Sequence, residues 1–215
     1  MTIVAERPTA TTTLTLVPLD HPELRRIRRW SDREALHRAV MRLFPDQLVG
    51  DPQVRRATAG ILFRHDTPGK NPDRLLIQHT TPMRADIIGS RDLRQAGLDP
   101  LLKSLEIDQL VRFRVVLNAV RSQTITKKRV AVTDPDDLIL WGMQRLEAAG
   151  LNGIELSDQP TTSLAFTSGA PVWTAQYDGY ANVSDSGTLT EAVRKGIGRA
   201  KAYGCGLLSL APVGP

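Results

Sequence analysis

Short strand-like stretches alternate with helix-like stretches along this 215-residue chain, and turn residues punctuate nearly every join. That order narrows the fold to mixed architectures in which helices pack on a sheet. Residues 11–17 are rich in threonine and β-branched side chains and read as a strand. Residues 20–30 read as a basic insertion. Ser31 or Asp32 can cap a helix running to about Phe44, where Pro45 stops it. Leu36, Val40 and Leu43 share one face of that helix. Residues 60–64 and 74–79 read as two strands joined through the turn-rich 66–72. The order β-α-β-β opens a ferredoxin-like unit, whose second helix falls within residues 90–105.

A second unit begins near Leu110. Residues 111–117 alternate apolar and basic side chains, as in a strand with one cationic face. Asp134 or Asp136 caps a helix through Ala149, closed by Gly150. Residues 172–183 read as a strand, Gly187 as a turn, 190–195 as a helix and 207–210 as a last strand. The two halves share one architecture, with a linker within residues 98–109. The size suits one large domain or two of about 100 residues.

Between the last helix and the last strand stands Gly196-Ile-Gly198-Arg199-Ala-Lys201-Ala-Tyr-Gly204-Cys-Gly206. Glycines let a backbone approach closely and take positive φ, so this is either an anion-binding turn or a turn that only packs a helix tightly on a strand. A Walker loop is excluded because Ala202 follows Lys201 and no helix opens there. A dinucleotide fingerprint is excluded because too little chain remains for its acidic residue. The net charge is +5. The cations cluster at Arg25, Arg26, Arg28 and Arg29, then Arg33, Arg38 and Arg42, and again at Lys127, Lys128 and Arg129 near Arg112, Arg114 and Arg121. Such runs are either solvated faces or the footprint of a polyanion, and the glycine loop beside them favours a phosphate backbone.

Cys205 is the only cysteine, which removes a disulfide framework and a cysteine-rich zinc site and points to a cytoplasmic setting. No apolar run approaches the ~20 residues of a membrane span, and the N-terminus lacks a signal-peptide pattern. The four histidines, His21, His37, His65 and His79, show no metal-ligand spacing, and the carboxylates are scattered, so no metal or cofactor is expected. His65 and His79 fall in strands and read as structural; His21 reads as an exposed loop residue. RNA can be cut by histidine chemistry, because its 2′-OH is an internal nucleophile. His37, on a capped helix with Arg38 and Arg42 a turn or so away, is the candidate; otherwise it is an ordinary surface histidine.

The C-terminal glycine stretch resembles the signature of the CasE family, the CRISPR RNA-processing endoribonucleases of the type I-E Cascade complex. Leu36-His37-Arg38-Ala-Val-Met-Arg42-Leu-Phe-Pro45, Arg112-Phe-Arg114-Val-Val-Leu-Asn118 and Lys128-Arg129-Val130 agree in order. The resemblance implies an α+β fold of two tandem ferredoxin-like (βαββαβ) domains, residues 1–100 with the catalytic histidine and 110–215 with the glycine-rich loop. It implies cleavage of precursor RNA at the base of a repeat hairpin without metal, leaving a 2′,3′-cyclic phosphate and a 5′-OH, and retention of the product with other Cascade subunits. By the same resemblance His37 and Arg42 are catalytic. Gly196, Gly198, Arg199, Lys201, Gly204, Gly206, Arg112, Arg114, Lys128 and Arg129 contact RNA. Glu34 stands where relatives often carry tyrosine, and residues 164–172 lack the basic side chains of relatives. A noncatalytic RNA-binding subunit and a scaffold using Trp30, Trp141 and Trp173 are the alternatives.

Overall fold

The structure is a computed structural model that describes residues 11–48, 55–66, 74–88, 93–123, 128–165, 167, 169 and 171–214. The first half runs β1 (Thr13–Pro18), α1 (Arg33–Arg42), α2 (Arg55–Thr58), β2 (Leu62–Asp66), β3 (Arg74–His79), α3 (Ala85–Ile88) and β4 (Arg94–Gly97). Its strands form one antiparallel sheet in the order β2-β3-β1-β4, with Leu16 opposite Leu76 and Thr13 opposite Gly97. Alternation along the strands sends Val17, Phe63, Leu75 and Ile77 inward. They pack with Leu36, Ala39, Val40, Leu43 and Phe44 of the α1 region in one core.

The second half continues through α4 (Asp99–Lys103), β5 (Leu110–Asn118), the hairpin β6 (Val120–Ser122) and β7 (Arg129–Ala131), and α5 (Pro135–Glu147). Then come β8 (Leu151–Leu156), β9 (Thr161–Ala165), β10 (Val172–Val183), α6 (Ser186–Lys195), a 3-10 turn at Lys201–Tyr203, and β11 (Ser209–Pro212). The sheet order β11-β5-β10-β8 repeats the first sheet's arrangement, so the molecule holds two ferredoxin-like sheets in tandem. Val111, Phe113, Val115 and Leu117 of β5 face α5 and α6 in a second core, while Arg112 and Arg114 turn to the other face, as their alternation predicts. Among the described residues no helix is long and apolar enough to cross a membrane.

Several expectations change. The basic stretch 20–30 exposes Arg25, Arg26, Arg28 and Arg29 but anchors itself through Leu24 and Ile27, which are buried in the first core. His21 is buried too, at 7 % exposure, and its Nδ1 accepts from the Glu23 N–H at 3.3 Å. The helix between β3 and β4 is the short α3, just ahead of the expected 90–105, which hold β4 and the short α4, and the expected linker carries Leu102 and Leu105 into the second core. Gly187 lies inside α6, because the Asp185 carboxylate accepts the Thr188 N–H at 2.8 Å and starts the helix earlier. Strands β8 and β9 escaped detection because neither shows a clean apolar alternation: β8 carries Asn152 and Gly153 near its start, and β9 is exposed over residues 161–164. They are held by the 12-residue β10, which pairs β9 along its first half and β8 along its second.

The halves are joined by polar side chains that replace missing backbone bonds. Gln78 of β3 donates to the carbonyls of Val193 and Arg194 at 2.8 and 3.2 Å, satisfying the open end of α6. Arg64 of β2 is buried, pairs with Asp66 at 2.6 Å, and donates across to Arg114 O, Leu207 O and Ser209 Oγ at 3.2, 3.3 and 3.0 Å.

Candidate functional site

Helix α1 is fixed at its start by Asp32, whose Oδ1 accepts the Ala35 N–H at 2.9 Å, and along its length by Leu36, Ala39 and Val40 in the core. His37 follows Leu36 and is left half-buried at the edge of that apolar stripe. Its Nδ1 is buried with no hydrogen-bond partner among the described residues. Burial, then the charges of Arg56 and Arg38, hold the imidazole below its usual pKa.

The glycine loop reaches the same place from the second half. Its neck is closed by the Ile197 N–H donating to Gly206 O at 2.8 Å, and Gly206 N–H extends the β5 ladder by donating to Val116 O at 2.7 Å. A Cβ on Gly206, which sits at φ +86°, would stand 2.5 Å from Ile197 O, so this glycine serves loop closure. Gly196 occupies the facing side of the neck, 2.9 Å from Gly206 O by the same measure. Gly198 is the loop glycine beside which space is open. The 3-10 turn packs on α1 and β2. Lys201 there donates to Lys195 O at 2.7 Å, and burial and then Arg56 lower its pKa.

Two further cations complete the cluster. Arg33 lies against Gly204, 3.5 Å from where a Cβ would stand, and its Nε is buried with no hydrogen-bond partner among the described residues. Arg56 donates to Ile61 O. Burial lowers the pKa of both guanidinium groups. Cys205, beside Arg33, gives no counter-charge, because burial pushes its thiol up to about 12. Among the described residues no carboxylate pairs with Arg33, Arg56 or Lys201. Partly buried cations without a counter-ion are costly, and a phosphate would relieve that cost.

The remaining predicted positions divide. Arg42 stands about 140° around α1 from His37 and is engaged by Glu23, at 3.2 Å to the carboxylate and 3.2 Å to its carbonyl. Arg84 shares that carboxylate at 3.5 Å. Arg114 is paired with Asp178 across β10. Arg112, Lys128, Arg129 and Arg199 are exposed, and Arg129 and Arg199 lie together at the mouth of a cleft beside the glycine loop. Glu34 pairs with Arg38 at 3.9 Å. His79 is structural, its Nδ1–H donating to Thr81 O at 2.8 Å while Nε2 accepts from Thr15 Oγ1 at 2.9 Å. His65 stacks on Trp30, with ring centres 4.7 Å apart. Lys127 lies outside the described residues. Sequence reasoning missed Arg33 and Arg56 as site residues. Arg33 was findable, standing four residues before His37 on one helix face; Arg56 sits on a four-residue helix with no periodic signal. Among the described residues no three of His, Cys, Asp and Glu converge as a metal site.

This architecture matches known proteins. The family model described as "CRISPR associated protein" matches residues 14–212. The CRISPR system Cascade subunit CasE of Escherichia coli K12 is 25% identical over 200 residues, covering 86% of this chain and 96% of that protein. The CRISPR-associated endoribonuclease Cse3 of Thermus thermophilus is 26% identical over 159 residues, covering 67% and 75%. A solved structure of Thermus thermophilus Cse3, bound to an RNA representing a pre-cleavage complex, superposes with a TM-score of 0.73. It is 24% identical and covers 94% of this chain and all of that one, a likeness of fold. With nearly its whole length matched by the family model, the chain belongs to the CasE family of CRISPR-associated proteins.

Proposed function

We propose that the chain is an endoribonuclease that processes CRISPR repeat RNA and remains with its product among other Cascade subunits. Its relatives carry those names, and one observation in the chain itself supports the reading most: a histidine whose buried Nδ1 has no partner among the described residues, near Arg56 and the glycine loop, where Arg33, Arg56 and Lys201 likewise have no acid partner among the described residues. Residues 1–100 supply the histidine, and residues 110–215 bring the glycine loop to it.

The lowered pKa leaves His37 neutral at physiological pH, the form that accepts a proton. In this reading His37 takes the proton of the 2′-OH, and the 2′-oxygen attacks the adjacent phosphorus. The bond from phosphorus to the 5′-oxygen breaks, giving a 2′,3′-cyclic phosphate and a 5′-OH. Lys201, its proton loosened by burial and by Arg56, supplies the proton the 5′-oxygen needs. Arg33 and Arg56 offset the added charge on the phosphorane. No metal is required by these steps. Arg42 serves the phosphate only if it leaves Glu23. Gly198, Arg112 and Lys128 hold the stem by its phosphates, since the deep groove of A-form RNA limits reading of bases, and Arg129 and Arg199 contact the RNA beside it.

A labelled repeat hairpin incubated with the protein in EDTA tests the reading. The expected result is one cut at the base of the stem with a cyclic-phosphate end, lost in His37→Ala and lost when the scissile nucleotide is 2′-deoxy. Tight binding without cutting would make the chain an RNA-binding subunit instead.

A further inference from the structure

Two clefts outside the His37 cluster open on the same surface of the second half. The first, about 600 Å³, lies between the β6–β7 hairpin, α5 and the residues 197–199. The second, about 580 Å³, lies between β7, the start of β10 and the 3-10 turn. Each falls within the ~300–1,000 Å³ of a small-ligand site. They share Asn118, Val120, Arg129 and Arg199, so they form one trough with this pair of arginines at its middle. Neither arginine side chain has a hydrogen-bond or ion-pair partner among the described residues.

Flat side chains mark both ends. Trp141 lines the first cleft, with the exposed Arg145 guanidinium 5.3 Å above its ring centre, which makes a planar cationic shelf. Trp173 and Tyr203 line the second. Two of the three tryptophans of the chain therefore lie in this one feature. Arg121 adds a further cation, and Asp137, the one carboxylate among the lining residues, is paired to it at 2.9 Å. The trough is thus cationic with rings interleaved. A duplex keeps its base faces stacked inside and has no use for rings, whereas unpaired nucleotides offer both a phosphate and a free π-face. The Tyr203 end belongs to the 3-10 turn that packs on α1, so the trough begins beside the His37 cluster.

We propose that this trough holds the single-stranded RNA that flanks the cleaved stem, with bases stacked on the Trp141–Arg145 shelf and on Trp173 or Tyr203, and phosphates at Arg129 and Arg199. It rests on the endoribonuclease reading and extends it: the stem and the unpaired strand are gripped by different residues, and the scissile phosphate is where the two grips meet.

The test compares two RNAs with a 2′-deoxy scissile nucleotide, so that neither is cut: a repeat hairpin with about six unpaired flanking nucleotides, and the same hairpin trimmed to its stem. Fluorescence anisotropy should show the flanked RNA binding the native chain about tenfold more tightly, the scale of one or two stacked bases. Arg145→Ala, on an exposed side chain, and Trp141→Leu, which keeps apolar bulk against the core, should each remove most of that advantage and leave the trimmed hairpin unchanged. Indole fluorescence should be quenched by the flanked RNA alone. Equal binding of the two RNAs by the native chain, or equal weakening of both by the variants, overturns the proposal. So does a full flank advantage in variants that fail to join the multisubunit complex, because the trough would then seat a protein. If the native chain binds neither RNA, the endoribonuclease reading falls with it.

Discussion

The environment of His37 sets both its charge and its use. Burial disfavours the imidazolium, and Arg56 and Arg38 repel it, so the proton leaves below the ordinary value of about 6.5. A base of this kind works when neutral, so cleavage should rise with pH through a midpoint below 6.5, level off, and fall again at high pH where Lys201 loses its proton. Replacing Arg56 with alanine removes one of the groups that depress the pKa. The midpoint of kcat/KM against pH should therefore move up toward 6.5 while the plateau falls. An unmoved midpoint would separate Arg56 from the imidazole. The orphaned Nδ1 of His37 and Nε of Arg33 belong to the same arrangement. Both are polar atoms that a compact protein would normally satisfy within itself, and both stand where the glycine loop meets α1.

Helix α5 shows how one element can override local preference. Gly142 sits in its interior, where alanine would favour the helix by about 1 kcal/mol. The Tyr177 ring of β10 occupies the missing side chain's place: a Cβ would stand 2.1 Å from it. The ring is fully buried, and its hydroxyl donates to Leu138 O at 2.8 Å, so it has no room to retreat. Gly142→Ala should therefore lower stability by about 1–3 kcal/mol, the cost of overpacking, read from the urea unfolding midpoint; a stabilised variant would contradict the packing. Helix α1 follows its sequence signals more simply, while α6 starts at Ser186, ahead of the expected residue 190. Asp32 and Asp185 each accept a backbone N–H three residues on, and the apolar stripe behind them does the rest.

At the scale of the molecule, the two sheets act together because buried polar groups tie them. Arg64 is the strongest tie: its charge is buried with Asp66 on one side and three acceptors of the other half on the other. Arg64→Ala would leave the Asp66 carboxylate unpaired beside open carbonyls of β5 and of the segment leading to β11. It should cost about 3–5 kcal/mol, measurable by chemical unfolding, and Arg64→Lys should restore only part, because an ammonium cannot reproduce the guanidinium fork. A loss under 1 kcal/mol would show that Arg64 is not what ties the halves together. Such a joint also fixes the glycine loop against α1, and with it the distance between the histidine and the cations that serve it.

The chain by itself determined whatever depends on neighbours a few residues away. The caps of α1 and α5, the alternation along β5, the 12 residues of β10 and the charge of the C-terminal loop all follow from short-range sterics and hydrogen bonding. The glycine stretch and the Leu36–His37 segment also carried the family resemblance, and with it the tandem fold. Only the tertiary structure could decide what depends on groups far apart in the chain. It turned Arg42 toward Glu23, paired Arg114 with Asp178, buried Leu24 and Ile27, set Arg56 close to both His37 and Lys201, and laid Arg33 against the glycine loop that packs on α1. The reason is that burial and long-range charge act through space. They assign a side chain its partner only once the sheets have closed on each other, and no local pattern records which of many arginines will be left without an acid.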